Sequence, residues 1–322
     1  MKNLSIPKSK SSHHVNKTGI RFALLVLGWA LAVPQVIAAP ITTHDIDYIG
    51  EITSGDTVPL SLPSDIAVDQ QNVYIVDGGN HRIVVFDRDG EYRFSFGHEG
   101  DRPGQFRGPV GIDIGADGRI YVADTGNNRI QIFDIEGQYL SSFLVESEGK
   151  PIRPIDVAAG GGNEVFVSGN DNHKVMVFAP DGQLLREWGG SGLDQGRFRY
   201  PGTMAFLRDT RIAVVDILNT RAQVFERTGR FSIEVGEWGV LPGQFYRPKG
   251  IAVDKDGNIY ISDSYMNLIQ VFSDTGAFLH VLRISGQAHA LETPAGIAID
   301  DENHLYVTEM LKNKISIFRL VP

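Results

Sequence analysis

Cysteine is missing from all 322 residues. Its absence excludes disulfides, thiolate metal sites, lipid-modified cysteine and attached c-type haem, so packing alone has to stabilise the fold. Positive charge is also scarce: 30 Lys and Arg stand against 39 Asp and Glu, a formal charge of −9. A chain of that sign repels a phosphate backbone, and nucleic acid is not an expected partner. There is no phosphate-binding glycine loop with a lysine, no HExxH and no GxSxG; "GGSG" at Gly189 to Gly192 reads as a turn. No segment beyond residue 38 has a sustained helical period, which leaves strands and turns.

Residues 1–38 lack acidic side chains altogether. They hold Lys2, Lys8, Lys10, Lys17 and Arg21, then the apolar run "FALLVLGWALAV", and Val36 and Ala38 fit a small-residue cleavage pattern. The expectation is a signal peptide cleaved after Ala38, because the run is short for a bilayer span and is broken by Pro34. Its removal takes five of the 30 basic residues and none of the 39 acidic ones, so the charge falls from −9 to −14. The remainder, 39–322, is expected to be one exported domain in the periplasm or outside the cell, with no stable membrane insertion.

What is present is repetition. Pro63, Pro109, Pro154, Pro201, Pro248 and Pro294 are spaced 46, 45, 47, 47 and 46 residues apart. Each leads into a short apolar strand such as "GIAVD", then a polar turn, a second strand such as "IYVAD", a turn such as "TGNN", and a third strand ending at Phe86, Phe133, Phe178, Phe225, Phe272 or Phe318. A fourth strand runs toward the next copy. Four antiparallel strands per unit of this length describe a propeller blade, whose two apolar faces must be covered by neighbours. The sixth copy stops after its third strand at "KISIFRLVP", and "DIDYIGEI" (Asp45 to Ile52) has the character of the missing fourth. The expected fold is therefore all-β: a six-bladed propeller of four-stranded antiparallel blades, its ring closed by an N-terminal strand that completes the last blade.

The stretches "GPVGIDIGADGRIYVADTGNNRIQIFDIEG" and "RPKGIAVDKDGNIYISDSYMNLIQVFSDTG" resemble the NHL repeat family, whose members form six-bladed propellers. That resemblance implies fold strongly and function weakly, since the family includes interaction platforms, nucleic-acid binders and a few lyases.

Residues that recur in most copies are expected to build blades. Asp77, Asp124, Asp216 and Glu309 take one position, and five residues later stand Arg82, Arg129, Arg221 and Lys314. With Asn127 in the intervening turn, these form an expected clamp between turn and strand.

Departures from the repeat are the candidates for function. The turn between second and third strands is hydrophilic in copies one to three but reads "ILNT", "SYMN" and "MLKN" in copies four to six. Ile217, Leu218, Tyr265, Met266, Met310 and Leu311 would thus form an apolar rim for a partner. Two or four residues past the proline stand Asp65, Asp113 and Asp156, which could converge on the axis and hold Ca²⁺ through oxygen ligands. The axis-lining strands contain no histidine, which argues against zinc there. Phe106, Phe198 and Phe245 recur before the proline and read as wedges between blades, whereas Tyr200 and Tyr246 are less regular.

The favoured reading is a protein-binding scaffold that uses one rim of the disc and needs no cofactor. The rival is a metal-assisted (Ca or Zn) lyase or lactonase with its site in the central channel, where a small-molecule ligand would sit.

Overall fold

The computed structural model describes residues 41–54, 57–159, 164–285 and 290–321. The expected signal segment, residues 1–38, lies outside them, as does the junction at Ala38. Within residues 41–321 the described elements are strands and single-turn 3₁₀ helices.

Four separate four-stranded antiparallel sheets follow one another along the chain. The first is Pro63–Val68, Asn72–Asp77, Arg82–Asp87 and Tyr92–Phe96; the second is Ile112–Ile114, Ile120–Asp124, Arg129–Phe133 and Tyr139–Leu144. The third is Pro154–Ala158, Val165–Gly169, Lys174–Phe178 and Leu184–Gly189; the fourth is Pro201–Phe206, Ile212–Asp216, Arg221–Phe225 and Phe231–Val235. Two further sets of four do not stand apart. They merge into one eight-stranded sheet, ordered Pro248–Val253, Ile259–Asp263, Leu268–Phe272, Phe278–Ile284, Thr43–Ile52, Lys314–Leu320, His304–Glu309 and Pro294–Ile299.

That merger departs from the expectation of six separate blades, and its cause is the strand Thr43–Ile52. It pairs antiparallel with Lys314–Leu320, from Ile46 opposite Leu320 to Ile52 opposite Ile315. Its first residues also pair parallel with Phe278–Ile284, Thr43 opposite Val281 through Ile46 opposite Ile284.

The second and third strands of each set are buried on both faces, as in Ile120–Asp124 and Arg129–Phe133. Such strands are stable only between neighbours. Layers of apolar side chains fill the gaps: Ile130 and Ile132 pack with Val165 and Phe178, and Val73 and Phe86 pack with Tyr306 and Ile317 from near the end of the chain. The six proline-led first strands neighbour one another in chain order, with Pro294–Ile299 also against Pro63–Val68. The architecture is propeller-like and all-β.

The wedge positions repeat with little variation. Phe106, Phe198 and Phe245 are fully buried, with ring centroids 5.5, 5.4 and 5.5 Å from Phe133, Phe225 and Phe272. Each is seated against a glycine, Gly97, Gly189 or Gly236, at φ +85°, +107° or +72°. A Cβ there would sit 2.2 to 2.7 Å from the aromatic ring, so both the left-handed backbone and the close approach require glycine.

Candidate functional site

In "DTGNNRIQIF" the second strand ends at Asp124, residues Thr125–Asn127 make one 3₁₀ turn, and Asn128 turns the chain at φ +54° before the third strand. Asn tolerates that left-handed conformation better than most side chains. Asp124 is fully buried and satisfied from several sides: Arg129 Nε at 2.7 Å, Asn127 Nδ2 at 2.8 Å and the backbone N–H of Arg107 at 2.7 Å. Arg129 in turn donates to the carbonyl oxygens of Asp101, Arg102 and Gln105 in the loop entering the sheet.

The same geometry ties Asp77 to Arg82 (2.8 Å) and to the N–H of Ser61, and Asp216 to Arg221 (3.1 Å) and to the N–H of Arg199. Glu309 lies 3.4 Å from Lys314 and accepts the N–H of Glu292. These charges are spent on holding loops to sheets. Asp263, whose partner position is Leu268, instead accepts backbone N–H groups of Tyr246, Arg247, Tyr265 and Met266.

Of the six rim residues expected from sequence, Leu218, Tyr265 and Leu311 are exposed, at 56, 59 and 65%. Met266 and Met310 are half-buried. Ile217 is not a rim residue: it is 9% exposed and its side chain packs over Gly202, where even a Cβ would lie 2.7 Å from Ile217 Cδ1. The 3₁₀ turn Ile217–Asn219 points its first residue inward and its second outward.

The structure adds apolar surface that turn composition alone did not reveal. Trp238, in the short strand Glu237–Trp238, and Leu193, in a loop between sheets, are 70 and 67% exposed, and Val240 and Leu241 are exposed beside Trp238. Leu193, Leu218 and Trp238 line one groove of about 360 Å³, together with Arg221, Glu234 and Glu237. Arg221 and Glu234 pair at 2.5 Å across its floor. Tyr265 stacks on Tyr246, ring centroids 4.1 Å apart.

Asp65, Asp113 and Asp156 do meet at one cavity of about 210 Å³, which is lined by the proline-led strands of all six sets. Each spends a carboxylate oxygen on the next strand: Asp65 accepts from Ile112 N–H (3.0 Å), Asp113 from Ala159 N–H (2.7 Å) and Asp156 from Met204 N–H (2.7 Å). Burial raises all three above the usual carboxylate range, Asp65 to about 7 and Asp113 to about 6. The charge of Asp65 adds to the rise at Asp156, while a hydrogen bond with Asp156 works against the rise at Asp65. Among the described residues no three His, Asp or Glu side chains are arranged to hold a metal ion. With one oxygen of each carboxyl held by a backbone N–H of the next strand, the described residues do not show the Ca²⁺ site expected of Asp65, Asp113 and Asp156.

The histidines at equivalent turn positions are structural as well. His81 Nδ1 accepts Gly108 N–H at 2.9 Å and His173 Nδ1 accepts Tyr200 N–H at 3.2 Å.

The family model of the NHL repeat matches residues 60–86, 106–133 and 245–272. The chain carries NHL repeats. The matched residues run from the loop before the proline to the terminal Phe of the third strand in the first, second and fifth copies. A stretch of 53 residues is 40% identical to the protein brain tumor of Drosophila melanogaster, covering 16% of this chain and 5% of that protein's length. Among solved structures, virginiamycin B lyase of Staphylococcus aureus is similar at 17% identity and a TM-score of 0.59, covering 84% of this chain and 99% of that one. A gluconolactonase of Xanthomonas campestris is similar at 18% identity and a TM-score of 0.61, covering 81% and 86%. At such identities the likeness is one of fold.

Proposed function

We propose that this chain is an exported protein-binding scaffold that captures its partner on the loop face of a six-bladed ring. The count of six rests on dividing the eight-stranded sheet at the parallel contact, which gives one set from Pro248 to Ile284 and one made of Pro294–Ile299, His304–Glu309, Lys314–Leu320 and Thr43–Ile52. Closure by the N-terminal strand is supported by its longer, antiparallel pairing with Lys314–Leu320. Export is inferred from residues 1–38 and places the scaffold in the periplasm or outside the cell.

One observation carries the binding assignment. The same loop is built three times, and only some copies are apolar. Gly100 and Gly239 have φ +157° and +153°, Gly104 and Gly243 +77° and +84°. The bonds Gln105 N–H to Arg102 O (3.0 Å) and Gln244 N–H to Leu241 O (2.9 Å) correspond. Where the first loop carries Glu99, Asp101 and Arg102, the later one carries Trp238, Val240 and Leu241. The loop folds with charged residues, so it does not need the apolar ones. Exposing Trp238 and Leu241 to water costs solubility without a structural return, which a bound surface would supply.

The experiment is capture from a native extract by wild type and by a triple variant, Leu193→Ser, Leu218→Ser and Trp238→Ser. A partner retained by wild type and lost by the variant, with the melting temperature unchanged, supports the reading; equal retention contradicts it.

The axial cavity favours a second reading, a small-molecule reaction on the carboxyls of Asp65, Asp113 and Asp156. Burial holds Asp65 at about 7 and Asp113 at about 6, a range that suits general acid and base work. The lyase and lactonase folds among the similar structures are consistent with it. Turnover of a ring-opening substrate that survives in wild type and vanishes in Asp65→Asn would establish it over the scaffold.

A further inference from the structure

Away from both sites, the strand Thr43–Ile52 brings His44 against His280. His44 lies on the segment that pairs parallel with Phe278–Ile284, and the two imidazoles have ring centroids 4.9 Å apart at an interplanar angle of 32°. Both are half-buried and face one cavity of about 200 Å³ at the end of the chain, with Asp254, Tyr260 and Val321. His44 Nε2–H donates to the Val321 carbonyl oxygen at 2.6 Å.

We infer that His44 and His280 form an acid-sensitive latch on the parallel pairing of the N-terminal strand with Phe278–Ile284. While neutral, the rings pack face to tilted face. When both are protonated, two like charges lie within 5 Å in a half-buried site, and separating the strands relieves the repulsion.

Asp254 faces the pair and is oriented by neutral donors, the N–H groups of Asp256 and Asn258, the Asn258 amide and the Tyr260 hydroxyl; its upward pull on the His280 ring is smaller than the downward push of burial and of His44. Lys255 is held by Asp256 at 3.0 Å. Asp45 and Arg283 pair across the same two strands, but the Arg283 guanidinium holds the Asp45 carboxyl below its usual range, so that pair stays charged through mild acid. Burial, and then the neighbouring His44, push the His280 ring below its usual 6.5, against a smaller opposing pull from Asp254. A histidine depressed in the folded state makes the native form lag the unfolded form in proton uptake. Stability at this edge is therefore intact above about pH 6.5 and falls as pH drops through that value.

The latch acts on few bonds. Val281 N–H donates to Thr42 O at 3.0 Å and Ser285 N–H to Ile46 O at 2.9 Å. The antiparallel pairing with Lys314–Leu320 involves the other edge of the strand and carries no histidine pair. Acid should open the contact in the middle of the eight-stranded sheet, not the whole fold.

Hydrogen exchange of the full chain, corrected for intrinsic rates, tests this at pH 7.5 and pH 5.0. Peptides covering 42–52 and 278–285 should lose protection at the lower pH, while residues 120–133 hold theirs. His280→Phe and His280→Gln should each remove the difference. Equal protection of wild type at both pH values overturns the latch. So does a wild-type drop that persists in both His280→Phe and His280→Gln.

Discussion

At the scale of single residues, charge in this protein is mostly structural. Asp124→Ala strips Arg129, Asn127 and the Arg107 N–H of their shared acceptor, leaving a buried guanidinium without its carboxylate. The expected loss is roughly 3–5 kcal/mol in urea unfolding, and a loss below about 1 kcal/mol would mean that the clamp is ornamental. Asp65 makes the opposite case. Its folded carboxyl titrates near 7 against 3.8 for the ordinary group, so between those values the native form keeps a proton that the unfolded form releases. Stability from this residue is highest in acid and falls as pH rises through 7. Asp65→Asn keeps an acceptor for Ile112 N–H and removes the ionisation, so it should stabilise by roughly 1–3 kcal/mol at pH 8 and far less at pH 5. Melting curves of both proteins across that range check the sign. The clamp was legible in the sequence because it recurs at fixed spacing. The fate of Ile217 was not, because periodicity names a turn without saying which of its residues points inward, and here a neighbouring Gly202 leaves room for the side chain.

At the scale of elements, the inter-sheet loops carry the lesson. Phe106, Phe198 and Phe245 were expected as wedges and are buried, since a large aromatic at a fixed distance before a recurring proline has one place to go. Gly236→Ala places a Cβ 2.2 Å from the Phe245 ring at φ +72° and should cost roughly 2–4 kcal/mol. Gly118→Ala, at φ +74° with nothing within 4 Å, isolates the backbone term and should cost about 1 kcal/mol. Equal losses would deny the wedge its role. The exposure of Trp238 was not legible in the sequence. Composition cannot separate a tryptophan folded under a loop from one lying on it; register against the polar loop at Glu99 and Asp101 supplies that distinction.

At the scale of the whole molecule, strand content and the order of strands within each set followed from the recurring strand and turn motifs and from the spacing of six prolines. The merger of eight strands did not, because the parallel contact of Thr43–Ile46 with Val281–Ile284 joins segments some 240 residues apart and leaves no local pattern. A chain beginning at Val58 would expose edges of both Phe278–Ile284 and Lys314–Leu320 and should self-associate in size-exclusion chromatography. A monomer of unchanged melting temperature would remove the N-terminal strand from the account.

The central claim is that what every copy shares holds the fold together, while apolar residues at otherwise polar loop positions meet a partner. A photocrosslinking residue placed at Trp238, and separately at the corresponding Glu99, tests it most directly in the protein's own extract. The account predicts one discrete crosslinked species from position 238 and none from position 99. Crosslinking of equal yield and mass from both, or none from position 238, would contradict it.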